Sequence, residues 1–170
     1  GDRAASVLSS LAFERMVNPS GPTAGRIVLP DGSVPERIAF VHCAASRSPD
    51  GLEYCSGVCC MASLKQAMLV REQYPESEVT VYYIDIRAID RIDDFYQKVQ
   101  DDENVAFVKS KVASITEDKE GNPVLNGVDT EGYQRYANPH DLCVLAIGME
   151  PSVPASDFPI KVTVNEHGFI

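Results

Sequence analysis

Residues 37–42, Arg-Ile-Ala-Phe-Val-His, form an apolar run of strand length. The chain then crosses a polar loop at 44–54 into a helical pattern at 56–74, with Ser56 as N-cap and Pro75 as the stop. A β-branched and aromatic strand is predicted at 79–86, and a second helix at 89–100 with Ile92, Phe95, Tyr96 and Val99 facing inward. Strand, helix, strand, helix is the order that builds a parallel sheet. Residues 105–115 are strand-like, 124–128 can pair with them across Asp118-Lys119-Glu120-Gly121-Asn122, and 142–147 form a late apolar strand before Gly148. The expectation is an α/β, Rossmann-like three-layer domain: a central, mainly parallel sheet plus an antiparallel β-meander.

The first 36 residues lack this regularity. Val7, Leu8, Leu11 and Met16 are near helical spacing, which predicts a short amphipathic helix over 2–17. Asn18-Pro19 breaks it, turn residues fill 20–25, and 26–29 are extended. Residues 1–36 are therefore expected to be an appendage or linker, with the Rossmann-like domain over 37–154.

Composition removes several classes of function. Fifteen Lys and Arg against 25 Asp and Glu give a net charge of −10, whereas nucleic acid and anionic lipid are bound chiefly through clustered cations. Apolar runs fall far short of the ~20 residues of a membrane span, and no signal peptide opens the sequence. A cytoplasmic protein that binds no nucleic acid and does not cross a membrane is expected.

Five cysteines remain to be explained. Cys43, Cys55, Cys59 and Cys60 are close in sequence, and Cys143 stands alone between Leu142 and Val144, where a buried inert thiol is expected. An odd count without an export signal fits a disulfide framework poorly. The Cys-x2-Cys knuckles of zinc sites are absent, as are the common ferredoxin spacings, but four thiolates are the usual ligand count of an iron–sulfur cluster. A thiol/disulfide redox site, or a scaffold with silent buried cysteines that docks other subunits, accounts for the same residues less fully.

The position of the four cysteines favours a cofactor. In a dinucleotide-binding domain, the first strand–helix turn carries glycines and the helix N-terminus faces a pyrophosphate. That turn has only Gly51, with Gly57 expected just inside the helix, so no NAD(P) is expected. The turn holds Cys43 at the strand end, Cys55 before the helix and Cys59 and Cys60 in its first turn. A helix N-terminus favours negative charge and lowers thiol pKa values, so an anionic [4Fe-4S] cluster is expected in the pyrophosphate position. Adjacent Cys59 and Cys60 diverge by about 100° on a regular helix, which calls for a distorted first turn if both ligate.

Other residues are assigned bland roles. Asp85 is expected to be a solvated strand-end carboxylate rather than a ribose ligand, and Arg47 an exposed loop cation rather than a counter-charge. His42 points away from Cys43 by strand alternation and packs. His140 and His167 receive no chemistry, and Lys65 and Arg71 belong to a solvated helix face.

The assembled motifs resemble a known family. They are Ser20-Gly21-Pro22-Thr23 with Gly25, Cys43-Ala44-Ala45-Ser46-Arg47, Tyr54-Cys55-Ser56-Gly57-Val58-Cys59-Cys60-Met61, Lys65-Gln66-Ala67, Val81-Tyr82-Tyr83-Ile84-Asp85-Ile86-Arg87 and Ala146-Ile147-Gly148-Met149-Glu150-Pro151. The chain is similar to the A-type subunits of heterodisulfide reductases, a family that includes the flavoprotein subunits of the quinone-interacting membrane-bound oxidoreductase complex. Ala45 departs from the glycine expected there.

The resemblance implies the nicotinamide-type domain of a thioredoxin-reductase-like flavoprotein, with a [4Fe-4S] cluster on Cys43, Cys55, Cys59 and Cys60. It further implies FAD in a full-length parent, with Gly148 at the crossing toward the flavin side and residues 155–170 leading to an absent flavin domain. The partners implied are other domains of the parent chain and other iron–sulfur or flavin subunits. The fragment is expected to pass electrons without being an active enzyme alone.

Overall fold

The structure is a computed structural model and describes residues 5–88 and 92–170. Among these, three α-helices and eight strands are arranged in three layers. The central sheet contains β1 (Val7–Ser9), β2 (Arg37–Ala44), β3 (Glu78–Tyr83), β4 (Val105–Lys109) and β8 (Leu142–Ile147) in the spatial order β1-β8-β2-β3-β4. All its pairings are parallel, for example Ile38 beside Val79 on one side and Leu142 on the other. The meander is β5 (Ser114–Glu117), β6 (Pro123–Asp129) and β7 (Gln134–Pro139), paired antiparallel in that order.

Strand alternation divides the core into two halves. Ile38 and Phe40 of β2 and Leu142 and Val144 of β8 face the helices α1 (Ser10–Val17), α2 (Cys59–Gln73) and α3 (Asp93–Gln100). Ala39, Val41 and Cys143 face the meander, where they meet Leu125, Ile115 and Tyr136. This is the expected α/β, Rossmann-like architecture, and its parallel part follows from the β-branched runs with intervening helices. Cys143 is wholly enclosed, and burial pushes its thiol up to about 12.

Several local expectations need correction. Val7 and Leu8 belong to edge strand β1, paired with Cys143 and Val144, and the first helix begins at Ser10. Ser9 Oγ accepts from the Ala12 N–H at 3.2 Å and so marks the true helix start. The expected appendage supplies Phe13 and Ile27 to the main core, both fully buried. The side chain of Gln73 accepts from Ile27 N and donates to Gly25 O, which ties this segment to the end of α2.

The strand expected over 105–115 divides into β4 and β5, which lie in different sheets. Strand β7 had no sequence signal, because Ala137 and Pro139 lie on its exposed face and the polar Asn138 on its inward one. The start of the helix expected at 89–100 lies outside the described residues. Its described part begins at Asp93, and Ile92 is exposed rather than inward. No helix among the described residues is long and apolar enough to cross a membrane.

A polar pair lies between the sheet and the meander. Tyr82 Oη and His140 Nε2 share a hydrogen bond at 3.0 Å, and Asn138 donates to the same hydroxyl. Burial, aided by the Arg37 charge and opposed by Asp141, pushes His140 down to about 4. The folded chain therefore keeps His140 neutral at pH values where the unfolded chain protonates it near 6.5. That stability is present above pH 6.5 and is lost as pH falls toward 4, by about 2 kcal/mol between pH 7 and pH 5. Urea unfolding at the two pH values measures the loss, and His140→Gln should reduce the difference by about that amount.

Candidate functional site at the carboxyl edge of the parallel sheet

Cys43 lies at the end of β2, Cys55 in the loop that follows and Cys59 and Cys60 at the start of α2, at the carboxyl edge of the parallel sheet. Ligands of open α/β sheets bind at such an edge, beside the strand where connections diverge. Here that strand is β2, which lies between β8 and β3.

The end of β2 is irregular. Its register with β8 shifts between Val41 and Ala44, and Cys43 has φ 55°. A bulge of this kind re-aims a side chain at the end of a strand. Ala45 and Arg47 are also left-handed, at φ 57° and 51°, a conformation that costs a non-glycine residue about 1–2 kcal/mol. This explains in physical terms why a glycine suits position 45. The loop is held by Ser46 N donating to Cys43 O, Leu52 N to Ala45 O and Ser48 N to Leu52 O.

The loop then packs on the end of β8. A Cβ on Gly148 would lie 2.6 Å from Leu52 Cδ1 and 3.1 Å from Ser56 Oγ, so any larger residue there would push the Leu52 side chain aside. Met149 clasps both neighbours of Cys55: its N–H donates to Ser56 Oγ and its carbonyl accepts from Tyr54 Oη, each at 2.8 Å. His167 and Phe169 cover the Tyr54 ring, with His167 at 4.3 Å between centroids. Ser56 is therefore a loop anchor and not the helix cap that its position suggested. Helix α2 starts at Cys59 with no side-chain cap, and Gly57 precedes it with φ 74°.

Cys59 and Cys60 diverge without leaving the site. Cys59 Sγ reaches Ile147 O at the end of β8 (3.6 Å), and Cys60 Sγ reaches Asp85 O beyond β3 (3.7 Å). The two side chains thus reach opposite neighbours of β2 from adjacent positions at the start of α2. Cys55 is exposed, Cys59 is half-buried, and Cys43 and Cys60 are buried. They are close enough to sense one another: Cys60 feels charge at Cys43, Cys55 and Cys59, and Cys43 feels charge at Cys55 and Cys59.

Burial pushes the thiols of Cys43, Cys59 and Cys60 above their ordinary range. Arg47 opposes this at Cys43, and at Cys59 the Ser56 hydroxyl and the Val58 and Cys59 N–H groups oppose it. The helix N-terminus thus acts in the expected direction, but desolvation is the larger effect. Among the described residues, no three His, Cys, Asp or Glu side chains converge as a single metal ion requires.

Charged residues that were expected on the surface enter the site. Arg47 pairs with Asp85, Arg87 Nη2 lies 3.4 Å from the same carboxylate, and Lys111 Nζ donates to Arg47 O at 3.1 Å. A sequence separation of 38 hid the Arg47–Asp85 pair. His42, beside Cys43, is buried with neither ring nitrogen hydrogen-bonded, and burial pushes it down to about 4.

Comparison with known proteins agrees with the resemblance. No protein-family model matches the chain. It is 41% identical over 149 residues to the second iron-sulfur A-type subunit of the CoB–CoM heterodisulfide reductase of Methanopyrus kandleri, covering 85% of the chain and 23% of the relative. It is also 41% identical over 152 residues to the A-type subunit of the ferredoxin:CoB-CoM heterodisulfide reductase of Methanosarcina mazei, covering 88% of the chain and 19% of the relative. The chain therefore spans about a fifth of the length of these relatives.

Among solved structures, an ornithine N-hydroxylase from Kutzneria aligns with a TM-score of 0.52 over 85% of the chain and 41% of that protein, at 12% identity. That likeness concerns the fold alone. The match at about 40% identity runs across most of the chain, and through this segment the chain belongs to the family of heterodisulfide reductase A-type subunits.

Proposed function

We propose that the chain is an electron-transfer segment in which Cys43, Cys55, Cys59 and Cys60 hold one [4Fe-4S] cluster at the first strand–helix turn of the parallel sheet. The observation that carries this reading is the placement of four free thiols on β2, its loop and the start of α2, at the ligand-binding edge of the fold. The donor set fits in kind and number. When bound, the cluster supplies one-electron storage and release.

The chain's own residues have separate tasks. Tyr54, Ser56 and Met149 fix the loop that carries Cys55, and the bulge at the end of β2 turns Cys43. The N–H groups of Val58 and Cys59 and the Arg47 guanidinium offset negative charge. Gly148 lets the loop close on β8 and leaves the flavin side of the site open. FAD belongs, in this reading, to other sequence of a longer protein toward which residues 155–170 lead, and no NAD(P) site is assigned. The partners are other domains of that protein and further iron–sulfur or flavin subunits in the cytoplasm. The family relation and the lack of pairing among the five free cysteines support this setting.

Anaerobic reconstitution with iron and sulfide tests the reading. About four irons and four sulfides per chain are expected, with an electron paramagnetic resonance signal on reduction. Cys43→Ser and Cys55→Ser should each lower the iron content at least twofold. A wild-type chain that takes up no iron, or serine variants with unchanged content, would sink the proposal. Rapid labelling of the thiols in an iron-free chain would then favour thiol/disulfide exchange.

A further inference from the structure

We propose that Arg47 is the counter-cation of the four-cysteine site, a positioning residue whose charge, anchored by Asp85, raises the reduction potential of the cluster. This rests on the cluster reading and extends it to two residues outside the ligand set. The backbone provides the first argument. Cys43, Ala45 and Arg47 are all left-handed, and strained residues of this kind persist where the surrounding structure over-determines them. This conformation turns the loop so that the Arg47 side chain returns to the sheet edge, where it is only 26% exposed.

Two anchors fix the cation there. Its guanidinium pairs with Asp85, and its carbonyl accepts from Lys111. Cys60 Sγ lies 3.7 Å from the Asp85 carbonyl, so the residue that holds the cation also borders the start of α2. Arg47 follows Cys43 by four residues in the same loop, and its charge opposes the effect of burial on the Cys43 thiol. The ion pair thus borders the start of α2 beside Cys60, in a chain of net charge −10.

Charge balance gives this position a consequence. Reduction adds one electron to a group already bearing four thiolates, and a fixed cation stabilises the more negative state. Removing the cation disfavours reduction. Removing only the carboxylate that partly neutralises it does the opposite. A residue that merely braced the loop would impair the site in one direction under both changes.

Redox titration of the reconstituted chain, followed by electron paramagnetic resonance, distinguishes these roles. Arg47→Gln is expected to shift the midpoint negative, lowering the reduced-to-oxidised ratio at the wild-type midpoint about tenfold, which for one electron is about 59 mV. Asp85→Asn is expected to shift it positive, and Arg47→Lys to stay within about threefold of wild type. Shifts of the same sign for Arg47→Gln and Asp85→Asn, or no shift for Arg47→Gln, overturn the assignment. If Arg47→Gln retains too little iron to titrate, restored iron content in Arg47→Lys supports the charge role and an equally low content overturns it. A wild-type chain without iron and sulfide overturns the cluster reading and this inference together, whereas a loaded wild type with an insensitive potential overturns this inference alone.

Discussion

Arg71→Ala is expected to cost about 2–4 kcal/mol of folding stability, far more than the loss of a solvated helix cation. Its side chain is 10% exposed, and Nε lies 3.1 and 3.0 Å from the two carboxylate oxygens of Asp102. Nη1 donates to the carbonyls of Tyr74, Pro75 and Ser77, which follow the last turn of α2. Alanine removes the ion-pair partner of Asp102 and the donor to Ser77 O, while Pro75 O keeps Asn104 Nδ2 and Tyr74 O keeps the Ser77 N–H. An orphaned partner of a charge-assisted bond costs about 1–3 kcal/mol. Water reaches part of this cluster and limits the total. Burial alone would raise the Asp102 carboxyl, but Arg71 and the Asn104 N–H hold it below its usual range. Arg71→Lys should recover less than half, because an ammonium cannot bind both carboxylate oxygens and the carbonyls. Urea unfolding at pH 7 measures these values. A change under about 0.5 kcal/mol for Arg71→Ala, the usual size of a surface effect, would return the residue to the solvated face that its helical position suggested.

Phe13→Ala should cost about 3–5 kcal/mol, the range for deleting a fully buried aromatic ring. Phe13 has no exposed surface and meets Phe40 of β2 edge to face, with ring centroids 5.7 Å apart. A double-mutant cycle with Phe40→Ala should give a coupling of about 0.5–1.5 kcal/mol. The measurement also decides whether the segment before residue 37 is structural. An appendage predicts almost no loss, whereas a core element predicts a large drop in the denaturation midpoint. Gln66, fully buried on α2, donates to Ser10 O and to the Glu14 carboxylate and so reinforces the docking of α1.

Much of the fold was legible because its signals are local. The β-branched runs at 37–42, 79–86 and 142–147 correspond to β2, β3 and β8, and Pro75 does end α2. The hairpin across Asp118–Asn122 was also legible, since Asp118 accepts from the N–H groups of Glu120 and Asn122 within its own turn. Residues 7–9 were not. Three residues carry too little pattern to outweigh an adjacent helix, and their strand exists only because β8 presents a free edge.

The four cysteines show the same division at the candidate site. Their placement at the first strand–helix turn was readable from spacing, but the means by which adjacent Cys59 and Cys60 remain in one site was not. That depends on β2 lying between β8 and β3, an order set by long-range pairing. The Asp85 carboxylate does stay 44% exposed, but the surface roles expected for Arg47 and Arg71 failed for a related reason. Each finds its partner across tens of residues, where no periodicity points to it.

The α/β class, the thiol-rich turn and the family are thus written in short stretches of chain, because propensity, turn chemistry and motif spacing act over a few residues. Folding had to settle the rest: that Phe13 and Ile27 are core, that Cys43 sits on a bulge, and that Arg47 faces the cysteines with Asp85 beside it. Those features arise when distant segments compete for the same sheet edge and the same buried charges, and only the assembled molecule resolves that competition.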